Sequence, residues 1–222
     1  MTHQNFEKAR EAMILSQLQP SGVVDPTVNA AYFSVPREMF VPEDLRGVSY
    51  LDGNMQLGHG RFLIEPIIFA SMVQDAGLKK TDKILDIGCG TGYSTAILSC
   101  LAEGVVALDE NEKLLHTARQ NWENLGYQNI SPVLGRHQDG YRNSAPYNAI
   151  FINGSVAACP LDLVEQLALS GKLYCVMMEM GKSTGVITVF SKTEAGQLIS
   201  RALGDATAPY LVGFEPKQEF EF

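Results

Sequence analysis

Residues 85–93 read LDIGCGTGY, an apolar run carrying an acid and then glycines at 88, 90 and 92. Glycine tolerates left-handed backbone and lets a ligand approach closely, and a helix that starts after such a turn offers unpaired N–H groups. The spacing is G-x-G-x-G, whereas dinucleotide enzymes, which must hold a pyrophosphate, displace the third glycine by one. Further on, VVALDEN puts Asp109 at the end of the next apolar run, after enough chain for one helix and one strand. A carboxylate at such a strand end can accept both hydroxyls of a ribose. Asp86 adds a negative charge that would attract an ammonium or sulfonium. These features point to S-adenosylmethionine, an adenosyl ligand with an amino-acid tail and no phosphate. The expected cofactor-binding residues are Asp86, Gly88, Gly90, Thr91, Gly92, Tyr93, Asp109, Glu110 and Asn111.

On either side of this turn the chain divides into two parts. From residue 83 to 190, strand and helix patterns alternate: KILDIG, TGYSTAILSCLA, VVALD, EKLLHTARQNWENL, ISPVLG, YNAIFIN, PLDLVEQLAL and KLYCVMM. That alternation predicts βαβ units and an α/β fold with a doubly wound, mostly parallel, Rossmann-like sheet. GVITVFSK and PYLVGF are expected to close the sheet as an antiparallel pair. Before residue 78 the pattern is helical. NFEKAREAMILSQLQ is amphipathic, Asp25-Pro26 restarts a helix as N-cap and first-turn proline, and IIFASMVQDAGL ends at Gly77. Between them, residues 50–66 read as irregular. The expected division is a helical cap with a substrate loop over 1–77 and a cofactor-binding α/β domain over 78–222.

Composition narrows the function classes. A net charge of −8 without a Lys/Arg cluster argues against nucleic acid as a partner. Cys89, Cys100, Cys159 and Cys175 form no C-x-x-C pair, so no metal site is expected, and buried free thiols fit a reducing compartment. The opening MTHQNFEKAR is polar and no apolar run approaches the ~20 residues of a membrane span. The expectation is a soluble, cytoplasmic protein with no membrane partner.

Several further stretches carry a family resemblance. AREAMILSQLQPSGVVDPTVNAAYFSVPREMFVP, with its V-P-R-E-x-F-V-P run at Val35–Pro42, resembles the N-terminal segment of the protein-L-isoaspartate O-methyltransferases. YLDGNMQLGHGRFLIEP over 50–66 has the place and glycine spacing of that family's substrate loop, and GRHQDGY with APYNAIFINGS is similar to its next two motifs. The similarity runs from about residue 9 to 181. It implies a class I methyltransferase sheet with a helical N-terminal addition. The implied reaction is methyl transfer from S-adenosylmethionine to a carboxylate of isomerised aspartyl residues in proteins or peptides. A carboxylate is already ionised at neutral pH. Such chemistry needs alignment and exclusion of water more than a catalytic base, and none is assigned.

The substrate loop departs from the family pattern. Phe62 and Ile64 stand where the family carries threonine and serine, so two hydroxyl donors are gone, and Glu65 adds a charge beside an expected carboxylate. Arg61 is the available compensator, either for the substrate carboxylate or for Glu65. His59, Gly60, Arg61, Ile64, Glu65 and Asn153 are the expected substrate-side residues. The family's G-D-G is Gly135-Arg136-His137 here, leaving Asp139 or His137 as candidate adenine-side groups, and Phe214-Glu215-Pro216-Lys217 replaces an apolar ending. Two other readings therefore stand beside the repair methyltransferase: a relative that methylates a different small-molecule or protein acceptor, and a non-catalytic S-adenosylmethionine binder.

Overall fold

The structure is a computed structural model that describes residues 5–193 and 196–216. Helix α1 (Phe6–Met13) runs into a wider π-helical turn over Ile14–Leu18, and α2 (Pro26–Ser34) follows. Asp25 caps α2, accepting from the amides of Thr27 at 2.7 Å and Val28 at 3.2 Å, with Pro26 in the first turn where its missing N–H is harmless. Short 3₁₀ turns occupy Arg37–Phe40 and Glu43–Val48. The stretch read as irregular instead contains an antiparallel hairpin, β1 (Met55–Gly58) and β2 (Arg61–Leu63). Its two strands alternate buried and less buried side chains, a pattern too short to stand out from the surrounding glycines. Helix α3 (Pro66–Ala76) ends at Gly77, whose φ of 59° closes the helix as a left-handed cap. The Gln74 amide on α3 accepts from the N–H groups of Val24 and Asp25 and donates to the Gly22 carbonyl, so this one side chain holds the turn before α2.

The α/β part is built from β3 (Lys83–Ile87), α4 (Tyr93–Ser99), β4 (Gly104–Asp109), α5 (Glu112–Leu125), β5 (Ile130–Leu134), β6 (Tyr147–Val156), α6 (Leu161–Val164), β7 (Leu167–Met177), β8 (Gly185–Lys192) and β9 (Leu198–Ala206). The sheet order is β5-β4-β3-β6-β7-β8-β9, with the first five strands parallel and the last two antiparallel. Between β3 and β6 the order reverses, and such a switch point opens a crevice at the carboxyl ends of the strands. One apolar cluster joins Met13, Leu18, Tyr32 and Phe69 of the N-terminal helices to Ile84, Phe151 and Tyr174 of the sheet, and a second fills the opposite face around Leu85, Ile150 and Leu173.

Two C-terminal expectations are corrected. PLDLVEQLAL is helical only over Leu161–Val164; Leu167 onward is already β7, pairing with Tyr147 at the base of β6. PYLVGF is not the closing strand. β9 fills that place, registering Val189 against Arg201, and Asp75 anchors the pairing by holding Arg201 at 2.8 Å and the Tyr174 hydroxyl at 3.0 Å. The 209–214 segment crosses the carboxyl ends of the strands as a strap: Ser155 N–H donates to Pro209 and Leu211 N–H to Ser155. Cys89 and Cys175 are buried, whereas Cys100 and Cys159 are only partly so, and all four are free. Among the described residues, no helix is long and apolar enough to cross a membrane and no metal-binding cluster occurs.

Candidate active site

The glycine turn joins β3 to α4 with φ values of 71°, 56° and 97° at Gly88, Gly90 and Gly92. A side chain at 92 would also place its Cβ 2.5 Å from Trp122 Nε1. That indole, buried on α5, donates to the Gly92 carbonyl at 2.9 Å, so packing and a hydrogen bond both fix the turn.

Two buried acids flank the turn. Asp86 accepts from Ser94 Oγ (2.7 Å) and Thr95 Oγ1 (2.6 Å) on α4 and from Asn153 Nδ2 (2.6 Å) on β6. Burial raises its carboxyl to about 6, against the pull of these three donors. Asp109 behaves oppositely. Burial works to raise it, yet the His137 ring and the Arg61 guanidinium, together with the Asn111 N–H, hold it below the ordinary carboxylate range. Its Oδ2 accepts from Gly90 N–H at 2.8 Å and its Oδ1 from Asn111 N–H at 2.9 Å. His137 is fully buried beside it, with Nε2 3.6 Å from Oδ1 and accepting from Glu110 N–H, and Nδ1 3.1 Å from the Val212 carbonyl.

The expected cofactor residues thus separate. Asp86, the three glycines and Asp109 converge on one corner. Thr91 and Tyr93 face the N-terminal helices: Thr91 Oγ1 donates to the Phe40 carbonyl, and the Tyr93 ring lies edge-on to Tyr32 and Phe40 beneath the Arg37 guanidinium, 4.9 Å away. Asn111 is the N-cap of α5, bonding Lys113 N–H and Leu114 N–H, while Glu110 is exposed.

Of the expected substrate-side residues, Arg61 is the surprise. It lies against the glycine turn, 4% exposed, with Nη2 donating to the Gly88 carbonyl at 2.7 Å and standing 3.5 Å from Asp109 Oδ2. It does not neutralise Glu65. Burial first, and then the hydrogen bond and charge of neighbouring Asp52, push the Glu65 carboxyl up to about 7, so near neutrality it is partly protonated and an O–H donor. Ile64 is buried, its carbonyl bonded by Arg37 Nη2 at 3.1 Å. His59 and Gly60 form the exposed hairpin tip. Asn153, bonded to Asp86, links the two groups of residues. Asp139 is exposed and lines a cleft of about 1070 Å³ with Arg136, Gln138 and Glu215; Lys217 lies outside the described residues.

In backbone and charge this corner fits an adenosyl cation: left-handed glycines, two carboxylates and a helix start. The space directly over Gly88 and Gly90, however, is taken by other side chains of the protein. A Cβ on Gly88 would lie 2.7 Å from Arg61 Nη2 and 2.8 Å from Leu211 Cδ1, and one on Gly90 2.9 Å from Leu57 Cδ1. Leu211 arrives on the strap and Leu57 and Arg61 on the hairpin, neither of which has a sequence signal tying it to the turn.

The sheet order, the glycine turn at the switch point and the acid ending the next strand define a class I methyltransferase fold. The model of the family "Protein-L-isoaspartate(D-aspartate) O-methyltransferase (PCMT)" matches residues 8–208. The chain belongs to that family, a family of S-adenosylmethionine-dependent methyltransferases. It is 38% identical over 169 residues to protein-L-isoaspartate O-methyltransferase 2 of Pelobacter propionicus, covering 76% of this chain and 75% of the relative. It is 34% identical over 200 residues to the Picosynechococcus protein-L-isoaspartate O-methyltransferase, covering 90% and 89%. A solved protein-L-isoaspartate O-methyltransferase superposes with a TM-score of 0.79 at 25% identity, over 92% of this chain and 66% of that one. A Plasmodium falciparum structure described as a putative family member in complex with S-adenosyl-L-homocysteine shares the fold, with a TM-score of 0.77 at 21% identity over 94% and 98%.

Proposed function

We propose that this protein transfers a methyl group from S-adenosylmethionine to the free carboxylate of isomerised aspartyl residues in proteins or peptides. The observation that carries the reading is the left-handed glycine turn at the switch point, flanked by buried Asp86 and Asp109, in a chain of this family. When bound, the cofactor supplies an electrophilic methyl on a sulfonium. The chain's own work is positional. Gly88, Gly90 and Gly92 supply backbone to the adenosyl group, Asp109 accepts from the ribose, and Asp86 faces the cationic end. The acceptor carboxylate is ionised at neutral pH and needs no base. The β1–β2 hairpin and Asn153 orient it and exclude water. In this reading residues 1–77 are the acceptor-side cap and 78–222 the cofactor domain. With its free cysteines and its charge of −8, the protein works on protein substrates in a reducing cytoplasm and not on nucleic acid.

A second reading, a changed acceptor, is favoured by Phe62 and Ile64 standing where the family has hydroxyls. Methyl transfer from labelled S-adenosylmethionine to a peptide with one isoaspartate, beside the same peptide with aspartate, separates the two. Base-labile label on the isoaspartyl peptide alone supports repair. No label from protein that binds the cofactor supports the changed acceptor.

A further inference from the structure

Arg61 stands on ground that the cofactor needs. Its Nη2 holds the Gly88 carbonyl and faces the Asp109 oxygen that also takes Gly90 N–H. Its Nε is buried with no hydrogen-bond partner and so is incompletely satisfied in this position. A small void of about 10 Å³ adjoins it, lined also by Ile64, Asn153 and Leu211. Among the described strands, the hairpin that carries it pairs only with itself. At its tip Gly58, His59 and Gly60 all have positive φ, at 84°, 53° and 71°. No other atom lies within 4 Å of where the two glycines would carry a Cβ.

Building on the methyltransferase reading above, we infer that Arg61 is a placeholder in the cleft: it occupies the cofactor corner until an adenosyl ligand replaces it, and then turns to the acceptor carboxylate. The exchange is one of donors. Departure of Arg61 leaves Asp109 short of a donor, a loss that is costly at a buried carboxylate unless another donor takes its place. The ribose hydroxyls, common to S-adenosylmethionine and S-adenosylhomocysteine, supply that donor beside the Gly90 and Asn111 N–H groups and leave the guanidinium free. With apolar side chains at 62 and 64, Arg61 is the hairpin's guanidinium donor, and its planar fork matches a carboxylate. The order of binding follows: cofactor first, acceptor second. Arg61 thus becomes a specificity residue that stands in for the lost hydroxyls.

Arg61→Gln tests this in the full chain. Trp122, the only tryptophan, is bonded to Gly92 and reports occupation of the corner by its fluorescence. Two titrations are needed: S-adenosylhomocysteine and S-adenosylmethionine against free protein, and an isoaspartyl peptide against protein saturated with S-adenosylhomocysteine. The expected result is a split. Both adenosyl ligands bind about tenfold tighter to the variant, the worth of one charge-assisted hydrogen bond no longer broken, while the peptide binds about tenfold more weakly. A merely structural role would weaken both. Unchanged or weaker adenosyl binding in a variant with the wild-type unfolding transition overturns the inference, as does unchanged peptide affinity. If Arg61→Gln does not fold, stopped-flow mixing of wild type with S-adenosylhomocysteine decides. An observed rate that levels off at high ligand marks a first-order step, the departure of Arg61 from the corner, and a rate linear in ligand throughout overturns the exchange. Should no adenosyl ligand bind to wild type or variant, the methyltransferase reading of the corner falls and the inference with it, an outcome distinct from equal binding to both.

Discussion

Asp86 is the site where a substitution separates energetics from function most clearly. Replacing it with asparagine keeps shape and volume while removing a charge from a fully buried position that three side chains hydrogen-bond. In the folded wild type the carboxyl titrates at about 6, above the 3.8 of an ordinary aspartate, so the native state binds the proton more tightly than the unfolded chain. A raised folded pKa contributes stability that is fully present below the unfolded value and lost as pH climbs through the folded one. Integrating between about pH 4.5 and pH 7.5 gives a loss of about 2 kcal/mol from this group alone. The asparagine of the variant does not titrate. Urea denaturation of wild type and Asp86→Asn at both pH values, taken as a double difference, cancels the other titrating groups to first order. Wild type should gain about 2 kcal/mol on the variant as the pH is lowered. A double difference near zero, or of opposite sign, refutes the assignment of a desolvated, proton-hungry carboxylate at this position. It would mean that the three donors fully offset burial.

Gly92→Ala would drive a Cβ against Trp122 at a φ of 97°; we predict a loss of at least about 2 kcal/mol and a shift in the tryptophan emission, and an unchanged spectrum would count against the turn geometry. Ile64→Ser restores the family's hydroxyl at a buried position; it is expected to cost about 2–4 kcal/mol in urea melts yet raise base-labile methylation of an isoaspartyl peptide, and no rise at a temperature where the variant is folded would argue against the loop alignment. Asp75→Asn weakens the Arg201 pair and the Tyr174 bond that hold β9, with an expected loss of about 1 kcal/mol by chemical denaturation, and a neutral result would make the pair dispensable.

Those elements that could be read from the sequence are the ones whose cause is local. The three glycines, Asp109 at a strand end, Asp25-Pro26 at a helix start and Gly77 at a helix end each act within a few residues of themselves, and each stands where its neighbours predicted. What the sequence left open or placed elsewhere involves partners far along the chain. PYLVGF has the composition of a strand, but β8 had a choice of partners, and LISRALGDA took the edge because Asp75, on a helix more than a hundred residues earlier, holds Arg201 there. Arg61 reads from the loop as a substrate-side residue with the acceptor carboxylate or Glu65 as its partner, whereas the folded chain also brings Gly88 and Asp109 within its reach and gives Glu65 to Asp52. His137 left open two roles in sequence; only the approach of the strap at Val212 and the end of β4 fixes its place.

The amide of Gln74 carries one more consequence. Three hydrogen bonds from one side chain fasten the turn at 22–25 to α3, which is itself packed on the sheet, so the N-terminal helices are coupled to the sheet as a fixed wall. Among the described residues, nothing comparable fastens the tip of the β1–β2 hairpin. Anchorage in the first third of the chain is thereby partitioned: the wall is tied to the strands through Gln74 and the apolar cluster, whereas the short hairpin reaches the sheet through the single guanidinium of Arg61 and the apolar contacts of Leu57 and Leu63.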